Sequence, residues 1–126
     1  MRDTLIQAAQ NAREGAYAPY SHFRVGAALL TEDGRVYTGA NVESASYGAT
    51  VCAERAALVK AVNDGARSFA ALAVASDGGE PVTPCGICRQ HLAEFGDMDV
   101  ICVGANGMRV WRLSELLPHG FTLKQE

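Results

Sequence analysis

Two groups of cysteines carry the most distinctive chemistry in this sequence. Cys85 and Cys88 are separated by two residues, and Pro84 before them is typical of the first turn of a helix. This spacing places two sulfurs one helical turn apart, so that both reach one metal ion. The positive partial charge at a helix amino end also stabilises thiolates. The motif therefore predicts two ligands of a thiolate metal site.

Cys52 supplies a third sulfur at the start of another predicted helix. Three protein ligands leave the fourth tetrahedral position for water, which distinguishes catalytic zinc from closed structural sites. Glu54 lies two residues after Cys52, where it is poorly placed to bind the same ion. A carboxylate in that position is suited to take a proton from a zinc-activated water and return it to a leaving nitrogen. We therefore expect one Zn²⁺ per subunit, with Glu54 as the catalytic proton carrier.

The charge of three thiolates calls for a nearby cation. Arg55 and Arg89 each follow a candidate site residue directly and are placed to donate hydrogen bonds to the sulfurs. We favour Arg55 for this role. The three histidines lie in polar settings, and three thiolates already suffice, so we expect them outside the metal shell: His22, His91 and His119.

Two other interpretations of the cysteines need a test. A Cys-x-x-Cys pair alone is also typical of a thioredoxin-like redox dithiol, although such a protein would leave Cys52 and Glu54 unexplained. In a structural zinc module, Cys102 would close the tetrahedron. Cys102 lies in an apolar strand pattern, which favours a buried thiol that packs as a small hydrophobe. Metal content, compared with the titration of free thiols, separates a zinc site from a redox dithiol. Retention of zinc in Cys102→Ser would exclude the structural module.

The elements that must position these residues alternate between helices and strands. Hydrophobic spacing predicts helices over 4–16, 52–63 and 85–95, with Asp3 capping the first, and a helical turn over 114–117. Strands are predicted over 24–31, 35–40, 69–75, 100–103 and 108–113. Asp33-Gly34 between the first two strands indicates a hairpin. The last two strands must be antiparallel, because their connection is too short for a parallel crossover.

Length and composition favour one small domain with a small substrate. The chain has 126 residues, of which 48% are hydrophobic, and a net charge of -3. We expect a single domain over 1–126. Because there is no surplus of Lys and Arg to neutralise phosphates, we expect no nucleic-acid or membrane partner. The charged amino end has no apolar run typical of a signal or membrane span, so a cytoplasmic protein is expected.

Longer motifs resemble a known enzyme family. Cys52-Ala-Glu-Arg55 followed by Pro84-Cys-Gly-Ile-Cys-Arg-Gln90 resembles the zinc signature of the cytidine deaminases. Segments 18–27, 39–43 and 116–121 resemble further stretches of that family, in the same order. The resemblance implies an α/β/α sandwich with a five-stranded mixed sheet. It also implies hydrolytic deamination of free cytidine and deoxycytidine, with release of ammonia, in pyrimidine salvage.

The resemblance also implies residues that contact the nucleoside. Phe23 would pack against the pyrimidine, and the Ala53 backbone would contact the base. Asn41 and Glu43 would hold ribose hydroxyls, which favours an ordinary nucleoside over the substrates of related antibiotic-inactivating deaminases. Ser44 is a departure, because many relatives carry Asn there.

Oligomeric state follows from the same resemblance. Because this chain resembles the short family members with three cysteine ligands, the resemblance implies a homotetramer whose active sites are completed across subunit interfaces. Tyr47 and Phe121 would then approach the nucleoside pocket from neighbouring subunits.

Overall fold

The fold is built around a five-stranded mixed sheet, which a computed structural model describes together with its helices for residues 1–123. The strands are β1 (Val25–Thr31), β2 (Val36–Ala40), β3 (Phe69–Ser76), β4 (Asp99–Gly104) and β5 (Gly107–Arg112). The helices are α1 (Arg2–Ala12), α2 (Ala53–Asn63), α3 (Gly86–Ala93) and α4 (Leu113–Leu116), with 3-10 turns at Arg13–Gly15 and Tyr47–Ala49. The strand order is β2-β1-β3-β4-β5.

One parallel pair lies among antiparallel pairs. Strands β3 and β4 are parallel and are connected through α3, whereas β1 pairs antiparallel with both β2 and β3. The predicted antiparallel arrangement of the last two strands is confirmed, with Gly104 opposite Gly107. The hairpin between β1 and β2 is also confirmed, and Gly34 at its turn has a φ of 95°. Glycine adopts this left-handed conformation without the steric cost of a side chain.

Helices cover both faces of the sheet and form the predicted α/β/α sandwich. Because successive strand residues point to opposite faces, Leu29, Leu72 and Val100 pack with α2 and α3 on one face. The other face is lined by smaller residues, such as Ala28 and Ala73, which pack against α1. Small side chains there allow α1 to lie close to the sheet. The two faces bury separate hydrophobic clusters.

The start of α2 lies unusually close to the sheet at Gly39. A Cβ atom at this position would lie 2.6 Å from the Ala57 nitrogen and 2.7 Å from the Ala53 oxygen. Both are backbone atoms, which cannot rotate away as a side chain can. Gly39 therefore permits the first turn of α2, which carries Glu54, to rest directly on β2.

Some element ends differ from the sequence prediction. Asp3 does not cap α1: Met1 occupies the cap position without a side-chain hydrogen bond, and Asp3 lies within the first turn. The helix ends at Ala12 and tightens into the 3-10 turn, whereas one helix was predicted to continue to residue 16. Such ends depend on local hydrogen bonds that hydrophobic periodicity does not report. None of the helices within 1–123 has the length and apolar character needed to cross a membrane.

We predict that Gly39→Ala destabilises the protein by roughly 1–3 kcal/mol or more, because the added methyl group overlaps the backbone of α2. Chemical denaturation of the purified variants measures this loss. Gly15→Ala is the matched control, since a Cβ there meets nothing within 4 Å. Equal stability of the two variants would contradict the close approach of α2 to β2.

Candidate active site

Three sulfurs from two helix starts form one cluster. The Sγ atoms of Cys52 and Cys85 lie 3.6 Å apart, and those of Cys85 and Cys88 lie 3.5 Å apart. All three lie within 4.8 Å of one another. The structure therefore brings together the three cysteines that the sequence predicts as metal ligands.

The fold places both helix starts at one edge of the sheet. Cys52 occupies the cap position of α2 and Cys85 that of α3, and neither makes a side-chain capping hydrogen bond. Cys88 follows in the first turn of α3. Helix α3 begins shortly after the carboxyl end of β3. Helix α2 packs beside α3, and its last turn lies near the start of β3, so its first turn lies near the carboxyl end of β3. The amino ends of both helices therefore meet at this edge of the sheet. Unpaired N–H groups at both starts give this edge a positive partial charge.

The donor set fits a zinc ion. Two Zn–S bonds of about 2.3 Å at a tetrahedral angle hold their sulfurs about 3.8 Å apart. The observed separations of 3.6 and 3.5 Å are close to this value. Three soft sulfur donors with no fourth side chain in the group, among the residues described, suit a zinc site with one open position.

Cys102 lies apart from the sulfur cluster. It is fully buried on β4, within the hydrophobic core that packs against α2 and α3. In the part of the chain that the structure covers, the one group of potential ligands contains neither Cys102 nor a histidine. The structure therefore gives no support to a zinc module that Cys102 closes.

Neighbouring groups shift the pKa values of Cys52 and Cys88 in opposite directions. The pKa of Cys52 falls to about 5, first because the Cys88 thiol donates a hydrogen bond to its sulfur, and further because of Cys85 and Arg55. That same hydrogen bond to Cys52, together with burial, raises the pKa of Cys88. Metal binding must displace this shared proton, because zinc binds thiolates.

The two candidate arginines have different partners. Arg55 Nη2 donates to the Thr50 carbonyl at 2.9 Å and lies 3.9 Å from Cys52 Sγ. The guanidinium of Arg89 instead donates to the oxygens of Pro84, Thr83 and Leu116. Arg89 thus links the α3 start to the last residue of α4, and Arg55 is the arginine beside a sulfur.

Glu54 is buried next to the sulfurs. It is 5% exposed, in the first turn of α2. Burial raises its pKa to about 7, and the negative charge of Cys52 adds to this effect. A carboxyl group with such a pKa exchanges protons readily near neutral pH.

A cavity of about 200 Å³ opens onto this group. It is smaller than the roughly 300–1,000 Å³ of sites for drug-sized ligands, and suits a single ring. The residues that line it come from the sulfur cluster, the sheet edge and the loops around them: Val25, Asn41, Thr50, Cys52, Ala53, Glu54, Val74, Val82, Thr83 and Cys85.

A second cavity of about 380 Å³ shares Thr50 with the first. Glu43 and Tyr47 line this second cavity, whereas Asn41 and Ala53 line the first. The two cavities are therefore neighbours, and four of the candidate binding residues are divided between them.

Asn41 and Glu43 are held firmly by the loops around them. Asn41 Oδ1 accepts from the Val25 N–H at 2.9 Å, and its Nδ2 donates to the Phe23 carbonyl at 3.0 Å. Glu43 Oε1 accepts from the N–H groups of Tyr20 and Ser21 at 3.0 and 3.1 Å. The pKa of Glu43 lies below its usual value, first because the Ser21 hydroxyl donates to it.

The three candidate aromatic residues lie in different surroundings. Phe23 lines neither of the two cavities; it is half-buried and lies near Gly78, where a Cβ would lie 3.1 Å from its ring. Tyr47 is 77% exposed, with Tyr20 edge-on at 6.3 Å. Phe121 is 69% exposed and lines a separate groove of about 800 Å³ beside α3. Within one described chain, Phe121 is therefore not part of either cavity near Glu54.

Comparison with known proteins agrees with this geometry. Residues 1–104 match the family described as the cytidine and deoxycytidylate deaminase zinc-binding region. The chain belongs to this deaminase family. It is 53% identical over 124 residues to a cytidine deaminase of Halalkalibacterium halodurans, covering 96% of this chain and 94% of the relative. It is 51% identical over 123 residues to that of Sporosarcina psychrophila, covering 95% and 90%.

A solved structure extends the likeness to the fold. The crystal structure of a cytidine deaminase from Burkholderia pseudomallei is 49% identical, with a TM-score of 0.91, and the match covers 96% of this chain and 99% of that one. The predicted fold class and the predicted membership of a deaminase enzyme family are thus confirmed. Zinc binding by this family agrees with the three-sulfur group.

Sequence patterns do not predict the contacts of two further residues in this deaminase. Thr50 lines both cavities and its carbonyl accepts from Arg55, yet it lies outside the predicted helices and strands. Gln90 holds Phe121 by two hydrogen bonds, from Nε2 to its carbonyl at 2.6 Å and from its N–H to Oε1 at 3.1 Å. The position of Gln90 in the cysteine motif was a signal, but its distant partner was not readable.

We predict that Cys52→Ser, Cys85→Ser and Cys88→Ser each lower the zinc content of the purified protein well below one ion per chain, because a hydroxyl is a much poorer zinc ligand than a thiolate. Elemental analysis by mass spectrometry measures the zinc. Cys102→Ser makes the same chemical change outside the cluster and is expected to retain zinc. Loss of zinc in Cys102→Ser with retention in the other three would reverse the ligand assignment.

Proposed function

We propose that this protein hydrolyses free cytidine and deoxycytidine to uridine and deoxyuridine, with release of ammonia. The observation that carries the proposal is the buried Glu54 carboxyl, which lines the same small cavity as Cys52 and Cys85. Family membership and the names of the similar relatives support the same reaction. A structural zinc module would not need a buried acid beside an open cavity.

Cys52, Cys85 and Cys88 would hold one zinc ion per subunit. When bound, zinc supplies the Lewis acidity that makes water acidic enough to attack a ring carbon near neutral pH. Arg55 beside Cys52 would offset part of the charge of the three thiolates and so weaken their electron donation. The residue therefore tunes the site without touching the substrate.

Glu54 would carry the protons of the reaction. It would take one proton from the attacking water and deliver it to N3 of the pyrimidine while the water oxygen bonds to C4. It would then take the second proton from that oxygen and pass it to the amino group at C4, so that the C–N bond breaks, ammonia leaves and the C4 carbonyl of uridine forms. Burial suits this task, because a carboxyl in an apolar site exchanges its proton near neutral pH.

Asn41 and Glu43 provide complementary groups for a ribose hydroxyl. Among the hydrogen bonds of the described residues, Asn41 Nδ2 uses one of its two N–H groups, and Glu43 Oε2 accepts one hydrogen bond. One donor and one acceptor position remain, which match a hydroxyl that both accepts and donates. The Ala53 backbone in the cavity would contact the base. Phe23, whose carbonyl accepts from the cavity residue Asn41, would pack its ring on the base.

The substrate is proposed to be a free nucleoside used in pyrimidine salvage in the cytoplasm. The small cavity and the net charge of -3 favour it over a polynucleotide. One sheet with two hydrophobic faces supports a single domain over 1–126, whose last residues, 124–126, lie outside the described part.

We also propose a homotetramer with shared active sites. Phe121 and Tyr47 are strongly exposed in the isolated chain, and Phe121 lines a groove with the exposed apolar residues Ile87 and Leu123. Exposed aromatic and aliphatic side chains of this kind are typical of protein interfaces. Association would bring Tyr47 and Phe121 to the pockets of neighbouring subunits.

Ammonia release from cytidine, deoxycytidine and adenosine tests the reaction, and Glu54→Gln tests the mechanism. We predict that Glu54→Gln lowers turnover of cytidine at least ~10²–10⁴-fold, since the amide cannot carry protons. Zinc content is expected to stay at one ion per chain. Glu32→Gln, at an exposed hairpin carboxylate at the other end of β1, is the matched control and keeps full turnover.

Two outcomes would overturn the assignments. Activity on adenosine alone would replace the proposed substrate, and near-native turnover by zinc-loaded Glu54→Gln would remove Glu54 from the mechanism.

Shared active sites predict complementation between two inactive variants. Light scattering of the wild type is expected to give about four times the 13.3 kDa chain mass. Glu54→Gln and Phe121→Ala are each expected to be poorly active, but mixed subunits regain activity. When the two variants are mixed randomly in equal amounts, roughly a quarter of the sites combine an intact Glu54 from one subunit with an intact Phe121 from its neighbour. A monomeric wild type, or mixed tetramers with no gain, would refute sharing through Phe121.

A further inference from the structure

The hydroxyl of Ser21 lies between the two halves of the proposed nucleoside site. It donates a hydrogen bond to Glu43 Oε2 and accepts one from the Phe23 N–H at 3.0 Å. One oxygen atom therefore contacts both the residue proposed to hold the ribose and the backbone of the residue proposed to pack on the base.

The carboxylate of Glu43 has few free acceptor positions. Its Oε1 already accepts from the N–H groups of Tyr20 and Ser21. A carboxylate oxygen offers two lone pairs, so Oε1 is saturated and Oε2 keeps one position beside the Ser21 hydroxyl. Ser21 therefore determines in which direction the remaining acceptor of Glu43 points.

The loop around Ser21 is built to hold this arrangement. His22 has a φ of 57°, a left-handed conformation that is uncommon for a residue other than glycine. Its N–H donates to the Ala18 carbonyl at 3.0 Å, which closes the turn. The turn brings the Ser21 hydroxyl back to the Phe23 N–H. Asn41 also holds this loop in place, because its Nδ2 donates a hydrogen bond to the Phe23 carbonyl.

We propose that Ser21 is a positioning residue that directs the Glu43 carboxylate toward the ribose 3′-hydroxyl, the one ring hydroxyl that cytidine and deoxycytidine share, and thereby sets selectivity for nucleosides that carry it. This inference rests on the proposed nucleoside deaminase function. The hydroxyl also helps to keep Glu43 ionised, because its hydrogen bond is the largest cause of the lowered pKa of Glu43. A charged acceptor binds a hydroxyl more strongly than a neutral one.

Steady-state kinetics on cytidine and 3′-deoxycytidine test this role. We predict that Ser21→Ala raises KM for cytidine roughly ten-fold, with a much smaller change in kcat, because a hydrogen bond to a charged group is lost. For 3′-deoxycytidine, KM is expected to change little. The ratio of kcat/KM for the two substrates therefore falls roughly ten-fold. Ser21→Thr keeps a hydroxyl and is expected to retain most of the wild-type ratio.

Thr31→Ala is the matched control. The Thr31 hydroxyl also donates to a carboxylate, that of Asp33, and accepts a backbone N–H, that of Arg35 at 2.7 Å. It lies at the far end of β1, roughly 20 Å from Val25 at the strand spacing. This variant loses the same two kinds of hydrogen bond, yet its substrate ratio is expected to match the wild type.

A double variant separates positioning from general damage. If Ser21 acts through Glu43, Ser21→Ala lowers the substrate ratio no further once Glu43→Gln is present. Should Ser21→Ala fail to fold, Ser21→Cys, with a weakly donating thiol, replaces it with the same expected loss.

An unchanged ratio in folded, zinc-loaded Ser21→Ala or Ser21→Cys, with cytidine turned over by the wild type, would overturn the role of Ser21 alone. A wild type that does not turn over cytidine would overturn the proposed function and this inference together.

Discussion

The convergence of two helix amino ends on three sulfurs is the constraint on which the site depends. Each start is fixed by contacts outside the cluster. Gly39 lets α2 rest on β2, and Arg89 ties the α3 start to the last residue of α4. Neither Cys52 nor Cys85 uses its side chain to cap its own helix, so both sulfurs remain available to a metal. A shift of either helix by one turn would separate the sulfurs by more than one ion can span.

Charge balance follows from this convergence. Three sulfurs, which bind zinc as thiolates, and the buried carboxyl of Glu54 lie close together in a partly buried site, where uncompensated negative charge is costly. The positive partial charges of two helix amino ends and the guanidinium of Arg55 offset part of this negative charge. The raised pKa of Glu54 lowers the rest, because it favours the neutral carboxyl. The features that lower the electrostatic cost of the site are thus the same ones that suit Glu54 to proton transfer.

The side chains proposed to bind the nucleoside are held in place in a different way. Backbone groups of the surrounding loops and of β1 hydrogen-bond to them. Asn41 bonds to both sides of Arg24, at Phe23 and Val25, while Glu43 takes two N–H groups from the preceding loop. Such bonds fix side-chain directions before a ligand arrives, which lowers the entropic cost of binding. Specificity can therefore depend on a residue such as Ser21 that holds another in place.

The sequence by itself determined the local features, because they arise from short spacings along the chain: the Cys85 and Cys88 pair on one helical turn, the hairpin at Gly34, and the antiparallel last strands. The family resemblance added the sandwich and a set of candidate residues. Only the tertiary structure showed that Arg55, and not Arg89, lies beside a sulfur, that Cys102 lies apart from the sulfur cluster, and which partners Ser21 and Gln90 have. Each of these depends on residues that are distant along the chain or on the direction of a side chain in a loop, and hydrophobic periodicity reports neither.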